Sequence, residues 1–373
     1  MASPIARTSP DDTSPQARED AAAAALRAGH LAILPTESIY GVFALGSSQA
    51  AIDKLASLTP GAAERWSAAW HAPSVEAVEK VLPAQTPLHR RLLRRLAPGP
   101  VTFLFPMEEA ALASLRASTG ALPGALDDGA EAAIRIIDHP LTCAVLEKVE
   151  GPVVGKRISA AGLGPDRELG NDTPAKAEEL GITAILDDGP TVHGKPSTVI
   201  RLLPEGGYEI VREGAFEART IHRRVERLIL FVCTGNTCRS PMAEAIARDL
   251  VEQGLAGPIP TAIVSAGVGA GEGAPMTPEA VGALRDLGIE APPHRSRGVT
   301  RDLISRAELI FAMTMSHADA VRAIDPRAAG RLTLLDPEGE DIPDPIGLSP
   351  EVYRQTAERL RTLILARLRE LDE

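Results

Sequence analysis

Leu228-Ile-Leu-Phe-Val232, followed at once by Cys233-Thr-Gly-Asn-Thr-Cys-Arg239-Ser240-Pro241, decides the fold of the C-terminal half. Five uninterrupted apolar residues suit a short strand buried on both faces. The next eight carry Gly235, Asn236 and two threonines, and read as a loop. Pro241 suits the first turn of a helix starting near Ser240, on which Met242, Ile246 and Leu250 share one face. A cysteine and an arginine with five residues between them can wrap a tetrahedral anion. Backbone N–H groups of Thr234 to Arg239 would point inward, Gly235 would permit the close turn, and the helix N-terminus adds a positive field. Arg239 can clamp two oxygens, and the same field favours a Cys233 thiolate. A thiolate aimed at phosphorus makes a phosphocysteine. Ser240 can donate to the sulfur and help it leave, and Asn236 is placed to fix the loop backbone.

Outward from this loop, Thr261–Val264, Leu309–Met313 and Leu332–Leu335 read as further strands. Helices open at Thr277-Pro278 and Ser349-Pro350, with a third capped by Ser316. The last helix should turn Val352, Leu360, Ile364, Leu368 and Leu371 inward, and Gly288 can close the Thr277 helix. Alternating strands and helices give an α/β doubly wound parallel sheet over 227–373. The first half is a mixed α/β domain over 19–215. It has a helix at Ala21–Leu26 and strands at Leu31–Pro35, Val101–Phe105, Ala133–Ile137, Ala184–Leu186, Ser197–Leu203 and Tyr208–Val211. Residues 216–226 read as a short charged linker without a Gly/Ser spacer, and 1–18 as a disordered tail lacking a secretory signal's basic start and apolar run.

The chain has 373 residues, 44% hydrophobic, which suits two domains with their own cores. A net charge of -11 argues against general nucleic-acid binding. No run approaches the roughly 18 apolar residues of a membrane span. Three cysteines are too few for a disulfide scaffold and point to a reduced cytoplasmic setting.

The C-terminal segment resembles the low-molecular-weight protein tyrosine phosphatases across Arg227 to Glu373, including Ser265-Ala-Gly267, His294-Arg-Ser296 and Met313-Thr314. The resemblance implies catalysis by Cys233 and Arg239. It makes Asp344, in Asp344-Pro345-Ile346-Gly347, the general acid that protonates the leaving group and then activates water. Two departures bear on the substrate. Tyrosine-directed members carry an aliphatic residue where this chain has Thr237, and aromatics that line a slot for the phenyl ring. Here the residue after Asp-Pro is Ile346, the Val268 to Met276 loop has no aromatic, and aromatics make up 3% of the chain. Thr-Cys-Arg resembles the protein arginine phosphatases of the same family, so phosphoarginine is favoured over phosphotyrosine. Cys238 either pairs reversibly with Cys233 or packs under the loop. Arsenate reductases share the fold but pass oxidation to further cysteines downstream, and none follows Cys238. The phosphatase chemistry needs no cofactor and no metal.

Pro35-Thr-Glu-Ser-Ile-Tyr-Gly41 follows an apolar strand, and Pro98-Gly-Pro-Val-Thr102, Arg135 near Asp138-His-Pro140, Asp187-Asp-Gly189, Pro196-Ser-Thr-Val199 and Arg212-Glu-Gly214 come after it. In this order they resemble YrdC-like threonylcarbamoyl-AMP synthases, which make the adenylate used in tRNA modification. The resemblance implies threonine, bicarbonate and ATP with Mg as substrates. Thr36 and Tyr40 would contact threonine, Arg135 would line the same site, and Ser197, Thr198 and Arg212 would face the nucleotide. Leu58-Thr-Pro-Gly-Ala-Ala-Glu64 stands where a Lys-x-Arg-Pro segment is expected, and Arg157-Ile-Ser159-Ala-Ala-Gly162 where a Ser-x-Asn pair is expected. Catalysis by this half is therefore expected to be impaired or altered. The basic run His89-Arg-Arg91 with Arg94-Arg95 could touch tRNA or double-stranded RNA. It is more simply a solvated helix face.

Three readings follow. In the first, a phosphatase acting on a phosphorylated protein is fused to a YrdC-like domain. In the second, an L-threonylcarbamoyladenylate synthase for tRNA modification carries an accessory phosphatase. In the third, a YrdC-like RNA- or nucleotide-binding module regulates the phosphatase.

Overall fold

The computed structural model describes residues 6–8, 14–58, 68–83 and 85–371. The chain divides into two compact units, Met1–Val225 and Glu226–Glu373.

The second unit is built on a four-stranded parallel sheet in the order Thr261–Gly267, Arg227–Cys233, Leu309–Ala312, Leu332–Leu334. Every residue of Arg227–Cys233 is buried, which is why it reads as a continuous apolar run. Its side chains alternate between two cores. Ile229 and Phe231 pack with Met242, Leu284, Tyr353 and Leu360 from the helices Arg239–Glu252, Pro278–Asp286 and Pro350–Arg369. Leu228, Leu230 and Val232 pack with Ile304 and Val321 from Arg301–Arg306 and Met315–Ile324. Helices on both faces of a parallel sheet make the expected doubly wound fold. Two local expectations change. Thr314, not Ser316, caps the helix Met315–Ile324, its hydroxyl accepting from the His317 N–H. On the last helix Tyr353 and Ala357 join Leu360, Ile364 and Leu368 in the core, while Val352 is only half-buried.

The first unit forms a ten-stranded mixed sheet: Ala6–Thr8, Ile182–Leu186, Leu31–Leu34, Gly41–Leu45, Val153–Arg157, Ala69–His71, Glu131–Arg135, Val101–Pro106, Thr198–Leu202, Tyr208–Arg212. Gly41–Leu45, Ala69–His71 and Val153–Arg157 were not anticipated. They are short, and each pairs antiparallel with a neighbour distant in sequence. The domain boundaries also shift. The supposed linker contains a helix, Ala218–Val225, whose Ile221 and Val225 join the first unit's core. The supposed tail contributes Ala6–Thr8, paired parallel with Ala184–Leu186, and the start of the helix Pro15–Arg27, where Arg18 is buried and donates to the Asp187 carbonyl. Residues 1–5 and 9–13 lie outside the described residues. So do 59–67, most of the segment read as a lost Lys-x-Arg-Pro.

Candidate active sites

In the second unit the strand Arg227–Cys233 ends on Cys233, and Arg239 opens the following helix. The left-handed residue of the intervening loop is Asn236, at φ 54°, and not Gly235, whose φ lies outside that region. Asn and Asp tolerate this conformation better than other side-chain-bearing residues. Asn236 is fully buried and tied on every side. Its Nδ2 donates to Ser240 Oγ (3.0 Å) and Ser265 Oγ (2.8 Å), its Oδ1 accepts from the Arg297 N–H (3.0 Å), and its carbonyl lies 2.7 Å from His294 Nε2. Cys233 Sγ is buried, 3.0 Å from Ser240 Oγ, and accepts from the Asn236 N–H at 3.3 Å. The loop is further held from the neighbouring strand end, where Val268 N–H donates to the Cys233 carbonyl and Gly269 N–H to that of Thr234.

The buried Arg239 guanidinium donates through Nη1 to the Ile342 carbonyl (3.0 Å) and through Nη2 to Asp344 Oδ2 (2.5 Å) and Thr234 Oγ1 (3.4 Å). Its Nε is buried without a partner. Cys233, Arg239 and Asp344, 111 residues apart from first to last in sequence, are thus brought to one loop, and the arginine and acid form an ion pair. An anion entering the loop would meet the Nε donor and compete with Asp344 for Nη2. Thr237 is half-buried, and its Oγ1 lies 3.7 Å from Cys238 Sγ. Cys238 Sγ faces Tyr353 Oη (3.5 Å) and Thr277 Oγ1 (3.6 Å), so the sulfurs of Cys233 and Cys238 have different partners and both are free thiols.

Two parts of this site escaped the sequence reading. His317 Nε2 lies 2.8 Å from Thr234 Oγ1, and its Nδ1 lies 2.8 Å from Thr314 Oγ1. Burial, and then the Arg239 charge, lower its pKa to about 4, so it is neutral at pH 7. The Thr314-x-x-His317 spacing at a helix start was the available signal. The other is Glu244, reached from Asn236 through Ser265. A glutamate in an apolar helix face looks like a solvated charge until the fold buries it.

In the first unit, Thr36, Tyr40, Arg135, Ser197 and Arg212 all line one cleft, together with Lys156, Arg157 and His71. Thr198 does not line it. As the first residue of its strand it is fully buried, and its hydroxyl donates to the Phe216 carbonyl and accepts from Gly214 and Phe216 N–H. The expectation that it faces a nucleotide is corrected accordingly. Arg135 Nη2 donates to Glu37 Oε1 (2.6 Å), Ser38 Oγ (2.6 Å) and Thr36 Oγ1 (3.3 Å), a buried ion pair within the Thr36-Glu37-Ser38 turn. Tyr40 lines the cleft, but its hydroxyl donates to the Gly189 carbonyl and accepts from Asp188 N–H. Burial raises its pKa well above the usual phenol range. Ser197 Oγ and Thr102 Oγ1 lie 2.8 Å apart, and Arg212 donates to the Ser197 carbonyl. Burial lowers the pKa of the Lys156 ammonium. His71, buried against the Phe43 ring edge, has its pKa lowered to about 3 by desolvation and then by Arg135. The basic run divides between the two faces of the helix Pro87–Leu96: His89 is buried with Nε2 3.0 Å from the Gly207 carbonyl and Arg91 donates to the Val225 carbonyl, while Arg90, Arg94 and Arg95 stay on the exposed face, Arg94 pairing with Glu79. Among the described residues no group of three or more His, Cys, Asp or Glu could hold a metal ion, and no helix is long and apolar enough to cross a membrane.

A strand-to-helix loop with a buried cysteine and a buried arginine at the carboxyl edge of a parallel sheet defines a cysteine-based phosphatase. The chain belongs to two families: residues 228–373 match the model for low molecular weight phosphotyrosine protein phosphatase, and residues 24–214 match the Sua5, YciO and YrdC model, described as telomere recombination. Over 140 residues it is 40% identical to a protein-arginine-phosphatase of Geobacillus stearothermophilus, covering 36% of this chain and 90% of the relative. A protein-arginine-phosphatase of Bacillus subtilis is 37% identical over 150 residues, covering 39% and 97%. A probable low molecular weight protein-tyrosine-phosphatase EpsP of Ralstonia nicotianae is 35% identical over 136 residues, covering 36% and 89%.

Proposed function

We propose that this enzyme removes phosphate from phosphoarginine in proteins in preference to phosphotyrosine, through a phosphocysteine on Cys233. The observation that carries the preference is where the aromatic side chains lie. The unit Glu226–Glu373 contains Phe231, Phe311 and Tyr353 and no other Phe, Trp or Tyr. All three are buried, and the two phenylalanines stack on each other. None is left to sandwich a phenyl ring. The apolar side chains near Asp344 and His317 are instead Ile346, 60% exposed, and Met315, 48% exposed. A guanidinium asks for acceptors, which the Asp344 carboxylate and the Thr237 hydroxyl offer. The names of the Geobacillus stearothermophilus and Bacillus subtilis relatives agree with this reading, while that of the Ralstonia nicotianae relative is a tyrosine phosphatase's.

In the reaction, Cys233 Sγ forms the S–P bond as the P–N bond breaks. The electron pair goes to the guanidino nitrogen, which takes the proton of a protonated Asp344. Substrate phosphate first takes Arg239 Nη2 from Asp344 and so releases the acid. Water then attacks phosphorus and gives a proton to Asp344, and the S–P bond breaks to return thiolate and inorganic phosphate. Phosphate release from matched phosphoarginine and phosphotyrosine peptides tests the preference. The native enzyme should favour phosphoarginine, and Thr237→Ile should move the ratio toward phosphotyrosine by about tenfold. An unmoved ratio rejects the selectivity role of Thr237.

For the first unit we infer binding of ATP with Mg and of threonine, with bicarbonate as co-substrate, and slow or absent turnover to threonylcarbamoyl-adenylate. The support is that Thr198, Tyr40 and Arg135 spend their polar groups inside the fold, while Lys156, Arg157 and Arg212 still supply cations at the cleft. The full chain incubated with the three substrates should bind nucleotide and accumulate little adenylate. Sustained multiple turnover would reject this reading.

A further inference from the structure

We propose that Met315, Ile346 and Leu348 form an apolar rim beside the phosphate loop, which takes an apolar side chain flanking the phosphorylated residue of a substrate protein. Among the described residues four large apolar side chains are exposed: Val192 in the first unit, and Met315, Ile346 and Leu348 in the second. Apolar side chains scattered singly over a surface call for no explanation, but three gathered at one loop do. Backbone hydrogen bonds tie all three to the segment that carries the acid. The Met315 N–H donates to Asp341 Oδ1 (2.8 Å), and the next residue, Ile342, gives its carbonyl to Arg239 Nη1 (3.0 Å). At the other end of the segment the Ile346 N–H donates to Asp344 Oδ1 (3.3 Å). The Leu348 N–H closes a turn onto the Pro345 carbonyl (3.0 Å), with Gly347 at φ 75°. An exposed turn ordinarily carries Gly, Pro, Asn, Asp or Ser, and Ile346 and Leu348 gain little burial there. The geometry of the reaction says what covers them. Asp344 has to reach the atom that leaves phosphorus, at the far end of the phosphorylated side chain. The substrate main chain therefore lies outside the loop, beyond Asp344, where residues 346–348 and the start of the helix Met315–Ile324 stand. Side chains next to the phosphorylated residue then fall on the rim. The exposed carboxylates of Glu338, Glu340 and Asp341 alongside repel an anionic lipid surface, so the matched occupant is a polypeptide.

The inference rests on the phosphatase reading of this unit and not on which phospho-residue it prefers. Its test uses the full chain and two peptide series, one on phosphoarginine and one on phosphotyrosine. In each series leucine or serine occupies the flanking positions in turn, and p-nitrophenyl phosphate serves as a substrate with no flanking chain. In the series cleaved faster, leucine should be favoured over serine by about fivefold in kcat/KM at one flanking position or more, with the gain in KM rather than kcat. Leu348→Ser and Met315→Ser should each lower that ratio to about twofold or less, and Leu348→Met should keep it. The ratio compares two peptides on one enzyme, so a general loss of activity cancels. Equal kcat/KM for leucine and serine at every position, or a ratio that survives in both serine variants, overturns the proposal and leaves the phosphatase reading standing. No hydrolysis of p-nitrophenyl phosphate or of either series overturns both. Sedimentation equilibrium tests the competing occupant: a concentration-dependent dimer that Leu348→Ser abolishes would assign the rim to a second copy of the chain and overturn the proposal as well.

Discussion

At the scale of single residues, the phosphatase site depends on a few buried polar atoms that several neighbours share, such as Arg239 Nη2 between Asp344 and Thr234 and Cys233 Sγ between Ser240 and the Asn236 N–H. Cys233→Ser should abolish turnover, and Asp344→Asn should slow leaving-group departure by ~10²-fold in a steady-state phosphate-release assay. Asn236 combines a left-handed backbone with three buried side-chain hydrogen bonds. Its replacement by alanine should cost about 2–4 kcal/mol in denaturant unfolding. In the first unit, His71 carries a pH liability. Its Nδ1 is buried without a partner, and its folded pKa is lowered to about 3 by burial first and Arg135 second. The unfolded chain takes up this proton near pH 6.5, whereas the folded chain does so only near pH 3. Stability is therefore fully present above the unfolded value and is lost as pH falls through that window. His71→Gln should flatten the acid side of a Tm-against-pH profile, and an unchanged slope would assign acid sensitivity elsewhere.

At the scale of elements, the loop works because two strand ends meet. A Cβ on Gly267 would lie 2.3 Å from the Thr234 carbonyl oxygen and 2.9 Å from the Asn236 nitrogen, so no side chain fits there without moving the loop. Gly267→Ala should keep the fold, as judged by far-UV circular dichroism, but lower kcat/KM by ~10²-fold, the effect of displacing reacting groups by about an ångström. The helix Met315–Ile324 adds a second brace. Its cap Thr314 and its His317 together hold Thr234. In the first unit the strand Thr198–Leu202 shows the reverse case. Ser197, just before it, reaches the cleft, while Thr198, one residue on, turns into the backbone of 214–216.

At the scale of the whole molecule, two units with separate cores meet in sequence between Val225 and Glu226. A chain cut there should leave Glu226–Glu373 folded with its phosphatase activity, whereas a cut at Phe216 strips Ile221 and Val225 from the first unit's core and should lower its Tm. Local pattern was enough to read the central strand, the Cys233 to Ser240 loop, the helix after it and the alternation of strands and helices, because each rests on apolar periodicity and loop chemistry within about 25 residues. The order of the motifs was likewise enough to read both families. The sequence by itself therefore determined what kind of chemistry Cys233 and Arg239 can perform. Only the tertiary structure decided that Asn236 rather than Gly235 makes the turn, that all three aromatics of the second unit are buried, that Thr198 is spent on a backbone turn, and that Glu244 lies at the end of a chain leading to Cys233. These depend on contacts between segments far apart in sequence. Which groups are buried together, and so must satisfy one another's hydrogen bonds, is a property of the packed molecule and leaves no local trace.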